Sequence, residues 1–239
     1  MPSSAHEVRI ILTIFNSDVG PKAARGISSC GTSILGVATQ STDDELEARQ
    51  SALQKAAAEL LAELDRSRIF AGIGPLEVTG SYVSGLMCWR DLDIGVLVGP
   101  DYAPADVLYL ISQLMELPGV IGFDYRDERA DRSSTGLVKE ERYHVPFLLE
   151  RGSGIWRLDL TLWLHDIHAN VTAWHQTLRD SITGEQRAAV LRIKDLWFRL
   201  PSYPDLIGGF EIYTAVINDG VRTPEQFRGW LAVRGLPQS

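Results

Sequence analysis

Leu76-Glu77-Val78-Thr79-Gly80-Ser81 is followed, after nine intervening residues, by Asp91-Leu92-Asp93-Ile94-Gly95-Val96-Leu97-Val98, and these two stretches decide how the chain is read. In the second, Leu92, Ile94, Val96 and Val98 take every other position. Side chains alternate across a strand, so one face is wholly apolar and Asp91 and Asp93 project from the other. Gly99-Pro100 ends the strand. Ile155–Leu164 repeats the pattern, with Trp156, Leu158, Leu160, Leu162 and Leu164 on one face and Asp159 opposite, between Arg157 and Thr161. If both strands turn their apolar faces to one core in one sheet, all three carboxylates emerge on the other side. Close carboxylates repel and titrate upward unless a cation joins them. Two divalent ions would relieve that repulsion, and carboxylate, phosphate and water oxygens suit Mg²⁺. Taken alone, Asp-x-Asp on the wet face of a strand is more often ordinary surface.

Around these strands the periodicity changes twice. Thr42–Asp65 reads as a helix, with Leu46, Leu53, Ala57, Leu60, Leu61 and Leu64 at helical spacing and Asp43, Asp44 and Glu45 in its first turn. Leu76–Thr79 is a short strand, Ala105–Leu117 a helix stopped by Pro118-Gly119, and Val120–Tyr125 a strand. Arg126–Glu141 reads as a charged, solvated loop. Arg142–Leu149 and Ile155–Leu164 flank a loop with two glycines, which signals a hairpin. Beyond His168 the pattern is helical: Val171–Leu178, Glu185–Leu200, Asp205–Ile217 and Pro224–Val233. Thr223, Pro224 and Gln226 form a capping signature for the last of these. The expected class is α/β (α+β), a mixed sheet with flanking helices followed by a C-terminal helical bundle. The expected division is an N-terminal segment 1–41 of unassigned role, a catalytic domain 42–167 and a helical domain 168–239. Within the first segment Val8–Phe15 is a strand candidate and Gly26–Gly36 a loop.

The chain has 239 residues, 45% of them hydrophobic and 23% charged, an ordinary globular balance. Its formal net charge of −8 argues against a sequence-independent grip on nucleic acid, which uses a basic face. Two cysteines, Cys30 and Cys88, make no disulfide framework. Val8–Phe15 contains Arg9 and lacks a signal peptide's leader and cleavage site, and no stretch has the length of a membrane span. Cytoplasm and no membrane association are therefore expected. His165, His168 and His175 surround Asp166, but no further ligands accompany them, so exposed imidazoles at a strand–helix connection are expected rather than zinc. Trp174, Trp197, Phe210, Tyr213 and Trp230 read as helical core.

The order hydrophobic strand, Gly80-Ser81, spacer, Asp91-Leu92-Asp93-Ile94 resembles the signature of the polymerase-beta-like nucleotidyltransferase superfamily. Gly85, four residues after Ser81, sits where that superfamily often has glycine, and Asp159 matches its third carboxylate in context. The resemblance covers residues 76–98 and 155–164 and is only architectural beyond them. It implies that Asp91, Asp93 and Asp159 are catalytic and bind two Mg²⁺ ions, with Mn²⁺ as a substitute. Asp159 would serve the ion that activates the acceptor, and Gly80 and Ser81 would approach the phosphates. Two departures stand out: Val83-Ser84 replaces a common Ala-Arg, and Arg90 replaces a common serine, so either Arg90 supplies the basic residue beside the nucleotide or triphosphate binding is altered or weakened. Lys194, the only lysine of the helical half, is the candidate for the triphosphate, against the alternative of a solvated helix lysine.

The resemblance therefore implies transfer of an NMP from an NTP, ATP first, to an acceptor hydroxyl, with release of pyrophosphate. A small-molecule acceptor is expected, as in the aminoglycoside and lincosamide nucleotidyltransferases, with no nucleic acid as partner. Protein adenylylation of the antitoxin type and a degenerate nucleotide-binding module without turnover are the alternatives. RNA tailing is disfavoured by the acidic charge.

Overall fold

The structure, a computed structural model, describes residues 41–238 except 134–137, 153, 167 and 205. The expectations for Val8–Phe15 and Gly26–Gly36 lie outside the described residues. Thr42–Ser239 forms one compact unit.

Helix α1 spans Asp43–Ser67 and begins at a capping box. The Glu45 amide donates to Thr42 Oγ1 and the Thr42 amide to Glu45 Oε2, which satisfies two amides that the first turn leaves without partners. Leu46, Leu53, Ala57, Leu60 and Leu64 form its buried stripe. Then follow β1 (Leu76–Val78), α2 (Gly80–Ser84), β2 (Asp91–Leu97), α3 (Pro104–Met115), β3 (Val120–Phe123), β4 (Arg126–Glu128), β5 (Arg142–Arg151) and β6 (Gly154–Trp163). The C-terminal helices are α4 (His168–Ser181), α5 (Gly184–Trp197), α6 (Gly209–Ile217) and α7 (Pro224–Val233). The sheet runs β1-β2-β6-β5-β3, with β4 also on β5. β2 and β6 are parallel, and the other pairs are antiparallel.

One core lies under the apolar sheet face. Leu92, Ile94 and Val96 of β2 and Leu158, Leu160 and Leu162 of β6 pack with Leu53–Leu64 of α1 and Val107, Leu110, Ile111 and Leu114 of α3. Each such leucine removed from water contributes roughly 1.5–3 kcal/mol, which fixes the parity of both strands and so the side on which their aspartates emerge. A second core gathers Val190, Ile193 and Trp197 of α5, Ile212 and Val216 of α6 and Phe227 and Leu231 of α7. Helix α1 serves both cores, since Leu46 belongs to the second. Ion pairs fasten α1 to α5: Arg49 with Asp195, Arg187 with Glu47 and Arg192 with Asp43.

The charged stretch after Tyr125 differs from a solvated loop. Arg126–Glu128 is a strand on β5, with Asp127 opposite Tyr143 and Glu128 opposite Arg142. Arg126, Asp127, Glu128, Arg129 and Arg132 are all in ion pairs. Asp127 accepts from Arg129 and Arg132, and Glu128 from Arg142 at 2.6 Å. Pairing across strands is what the sequence pattern alone leaves open.

Candidate active site

Burying the two leucine faces turns Asp91, Asp93 and Asp159 to the opposite side of the sheet, as parity requires. The β2–β6 register then makes them neighbours. Asp93 lies directly opposite Asp159, and Asp91 opposite Arg157. Each of the three offers an oxygen within 4.8 Å of the others. Their surroundings differ sharply. Burial, with the charges of Asp93 and Asp159 added, pushes the Asp91 carboxyl well above the usual range. Burial, reinforced by Asp159, pushes Asp93 up to about 6. Burial also raises Asp159, but a hydrogen bond from His144 and the charge of Arg157 outweigh it and hold this carboxyl below its ordinary value. Arg157 Nε donates to both Asp159 oxygens, at 2.9 and 3.1 Å, and His144 Nε2 lies 3.4 Å from Oδ1.

Asp91 Oδ1 is buried without a hydrogen-bond partner. An orphaned buried carboxylate oxygen is costly, and a cation is the partner that would satisfy it. The donor set, three carboxylates within coordination reach, fits Mg²⁺.

Gly80 lies hard against this group. Its φ is +66°, and a Cβ there would stand 1.7 Å from Asp93 Oδ2. Glycine is required twice, for the left-handed backbone and for the missing carbon. Gly80→Ala is expected to displace the Asp93 carboxylate. Because misplacing a reacting group by about 1 Å can cost roughly 100-fold in rate, a reaction that depends on this carboxylate should slow at least that far. The measurement is turnover alongside circular dichroism, and a variant with wild-type turnover would remove the close approach from the mechanism. Ser81 follows in the first turn of α2 and is buried. Beside the carboxylates opens a cleft of about 180 Å³, lined among others by Thr79, Asp93, His144, Asp159, Thr161 and Trp163.

Arg90 and Lys194, the two basic residues expected beside the nucleotide, differ in their surroundings. The Arg90 guanidinium lies against Gly154, at the turn end of the β5–β6 hairpin. That is five residues along β6 from Asp159, roughly 16 Å of extended strand. Arg90 precedes Asp91 and so has the opposite parity, which turns it off the carboxylate face. Lys194 is 2% exposed, and its Nζ donates to the Leu86 carbonyl at 2.9 Å and to the Tyr213 hydroxyl at 3.3 Å. It ties α5 to the connection between α2 and β2 rather than standing as a solvated helix lysine. Its charge still favours ionised Asp91 and Asp93.

His144 and Arg157 were not expected as site residues. Both carry a parity signal: Tyr143, Val145 and Phe147 bury one face of β5 and leave His144 on the other. Which strand pairs with β6 is the missing step. His175 also differs from an exposed imidazole. It packs edge-on to Trp174 and Tyr213, and burial, aided by the Lys194 charge, lowers it to about 4. The His168 side chain lies outside the described residues. Among the described residues no helix is long and apolar enough to cross a membrane.

No protein-family model and no curated protein matches the chain. Solved structures do. The Cid1 poly(U) polymerase bound to MgATP aligns at 15% identity over 59% of this chain and 41% of that one, with a TM-score of 0.42. The GLD-2/RNP-8 complex aligns at 14% identity over 83% of this chain and 77% of that one, with a TM-score of 0.46. A cytoplasmic RNA terminal U-transferase aligns at 15% identity over 63% and 40%, with a TM-score of 0.36. The chain thus spans about two fifths of the length of the poly(U) polymerase and of the U-transferase. Within the chain itself, Gly80, Asp91 and Asp93 of the motif and Asp159 meet in one place. The expectation of a small-molecule acceptor with no nucleic acid is corrected, because two of these structures are named for RNA or poly(U) synthesis. Its weakness is physical: net charge is a whole-chain sum, and part of the −8 is the three site carboxylates themselves.

Proposed function

We propose that this nucleotidyltransferase-fold chain is a metal-dependent enzyme that moves a nucleoside monophosphate from an NTP to an acceptor hydroxyl. The observation that carries this reading is the meeting of Asp91, Asp93 and Asp159 on adjacent parallel strands beside a glycine that no other residue can replace. Asp91, Asp93 and Asp159 would hold Mg²⁺, which supplies charge neutralisation for the phosphates and a lowered pKa for the acceptor hydroxyl. The chain's own residues do the rest. Gly80 lets the backbone approach the phosphates, and Ser81 offers its amide and hydroxyl there. Asp159, on the cleft side, takes the acceptor proton. The acceptor oxygen bonds to the α-phosphorus as the bond to pyrophosphate breaks. Lys194 acts on the triphosphate through charge at a distance, and Arg90 is given no nucleotide contact.

The test is incubation with each of the four α-labelled NTPs, ATP first, and Mg²⁺, with RNA bearing a free 3′-hydroxyl or a protein as acceptor. Label is expected to pass to one acceptor class with release of pyrophosphate, and EDTA is expected to stop it. A chain that binds Mg–NTP yet labels neither acceptor would be a nucleotide-binding module instead.

A further inference from the structure

Asp159 already has partners, and Asp91 has none for its buried oxygen. Arg157 Nε spans both Asp159 oxygens and His144 Nε2 faces one of them, while Asp91 Oδ1 is orphaned. Arg157 reaches this position because the register sets it opposite Asp91, two residues before Asp159 on the same face of β6. Its side chain is 24% exposed and that of Asp159 15%, so the pair is shielded from water. A guanidinium cannot lose its proton here. It is a permanent positive charge at the carboxylate the acceptor-side ion would need.

We propose that Arg157 is an internal counter-ion for Asp159 that makes the two metal sites unequal. The pair Asp91 and Asp93 takes the first ion: the charges of Arg157 and Lys194 reach both carboxylates, but among the described contacts neither accepts a hydrogen bond from a cation, as Asp159 does from Arg157. The second ion must displace Arg157 from Asp159 and arrives against both the lost hydrogen bonds and the guanidinium charge. Arg157 is thus a positioning residue. It holds Asp159 in place before the second ion is bound and sets the order in which the site fills. This inference rests on the metal-site reading above.

The experiment is Mn²⁺ titration of the nucleotide-free chain, followed by electron paramagnetic resonance, so that no turnover is needed. Wild type is expected to bind one ion strongly and a second much more weakly. In Arg157→Gln the weak site is expected to tighten about tenfold or more, since one charge a few ångströms away is removed from a shielded site. Arg157→Lys keeps the charge and is expected to retain the wild-type inequality. Two equal sites in wild type, or a weak site unchanged in Arg157→Gln, would overturn the role of Arg157 while leaving the metal site standing. Wild type that binds no Mn²⁺ would remove the metal site, and this proposal with it. If Arg157→Gln fails to fold, Arg157→Met, which also removes the charge and keeps the stem, replaces it with the same expected tightening of the weak site.

Discussion

Asp93→Asn is expected to lower nucleotidyl transfer by at least about 10³-fold, because the charge that a metal supplies in the transition state is worth several kcal/mol. Asp93 is the most central of the three carboxylates: it faces Asp159 across the β2–β6 pairing and Gly80 across the tight approach. The same substitution has an opposite effect on stability. The carboxyl of Asp93 is raised from its ordinary 3.8 to about 6. A carboxyl raised on folding binds its proton more tightly in the folded chain. Its contribution is therefore favourable at low pH and is lost as pH rises from about 4 to about 6. At neutral pH the metal-free chain carries a penalty on the order of 2–3 kcal/mol from this group. Metal-free Asp93→Asn should thus melt higher than wild type at pH 7, with a flatter pH dependence between about 4 and 6, and Mg²⁺ should reverse the ranking. Thermal melts at both pH values, with and without Mg²⁺, and a turnover assay give the reading. A metal-free variant less stable than wild type at pH 7 would show that the carboxylates do not repel as the geometry requires.

Asp159→Asn is expected to separate binding from chemistry. Asp91 and Asp93 remain, so calorimetry should find Mg–NTP affinity close to wild type. Transfer should fall by roughly 10²–10⁴-fold, the usual weight of a lost general base, with the loss of a metal ligand added. Asn keeps the size but gives Arg157 and His144 only one oxygen to meet, so the strand position is preserved while the charge is gone. Loss of nucleotide binding in parallel with turnover would place Asp159 in the nucleotide site rather than on the acceptor side. Turnover at the wild-type rate would remove it from the mechanism.

Much of this site is legible in the chain itself. Alternation along Asp91–Val98 and Ile155–Leu164 assigns every side chain to a face, because one leucine face must be buried and the period of a strand is two. That alone sets three aspartates opposite two apolar faces. The Thr42 and Thr223 capping boxes mark helix starts just as locally, since each depends on residues three apart. The spacing of Gly80-Ser81 to Asp91 carries the family resemblance for the same reason: it is a local loop length.

What only the tertiary structure decided is who sits beside whom across elements. The parallel β2–β6 register brings Asp93 to Asp159, and β5 brings His144 to the same carboxylate, although His144 and Asp159 are strangers in sequence. Arg90 and Arg157 are both arginines close to the motif residues, yet their parity sends one to the hairpin turn and the other to Asp159. Lys194 and His175, polar residues on helices, are buried and half-buried respectively because α4, α5 and α6 pack together, giving Lys194 the Leu86 carbonyl and the Tyr213 hydroxyl as partners and His175 the Tyr213 ring. Periodicity fixes the face a residue takes, a matter of backbone geometry within one element. Its partner depends on which elements bury apolar area together, and that sum runs over the whole chain.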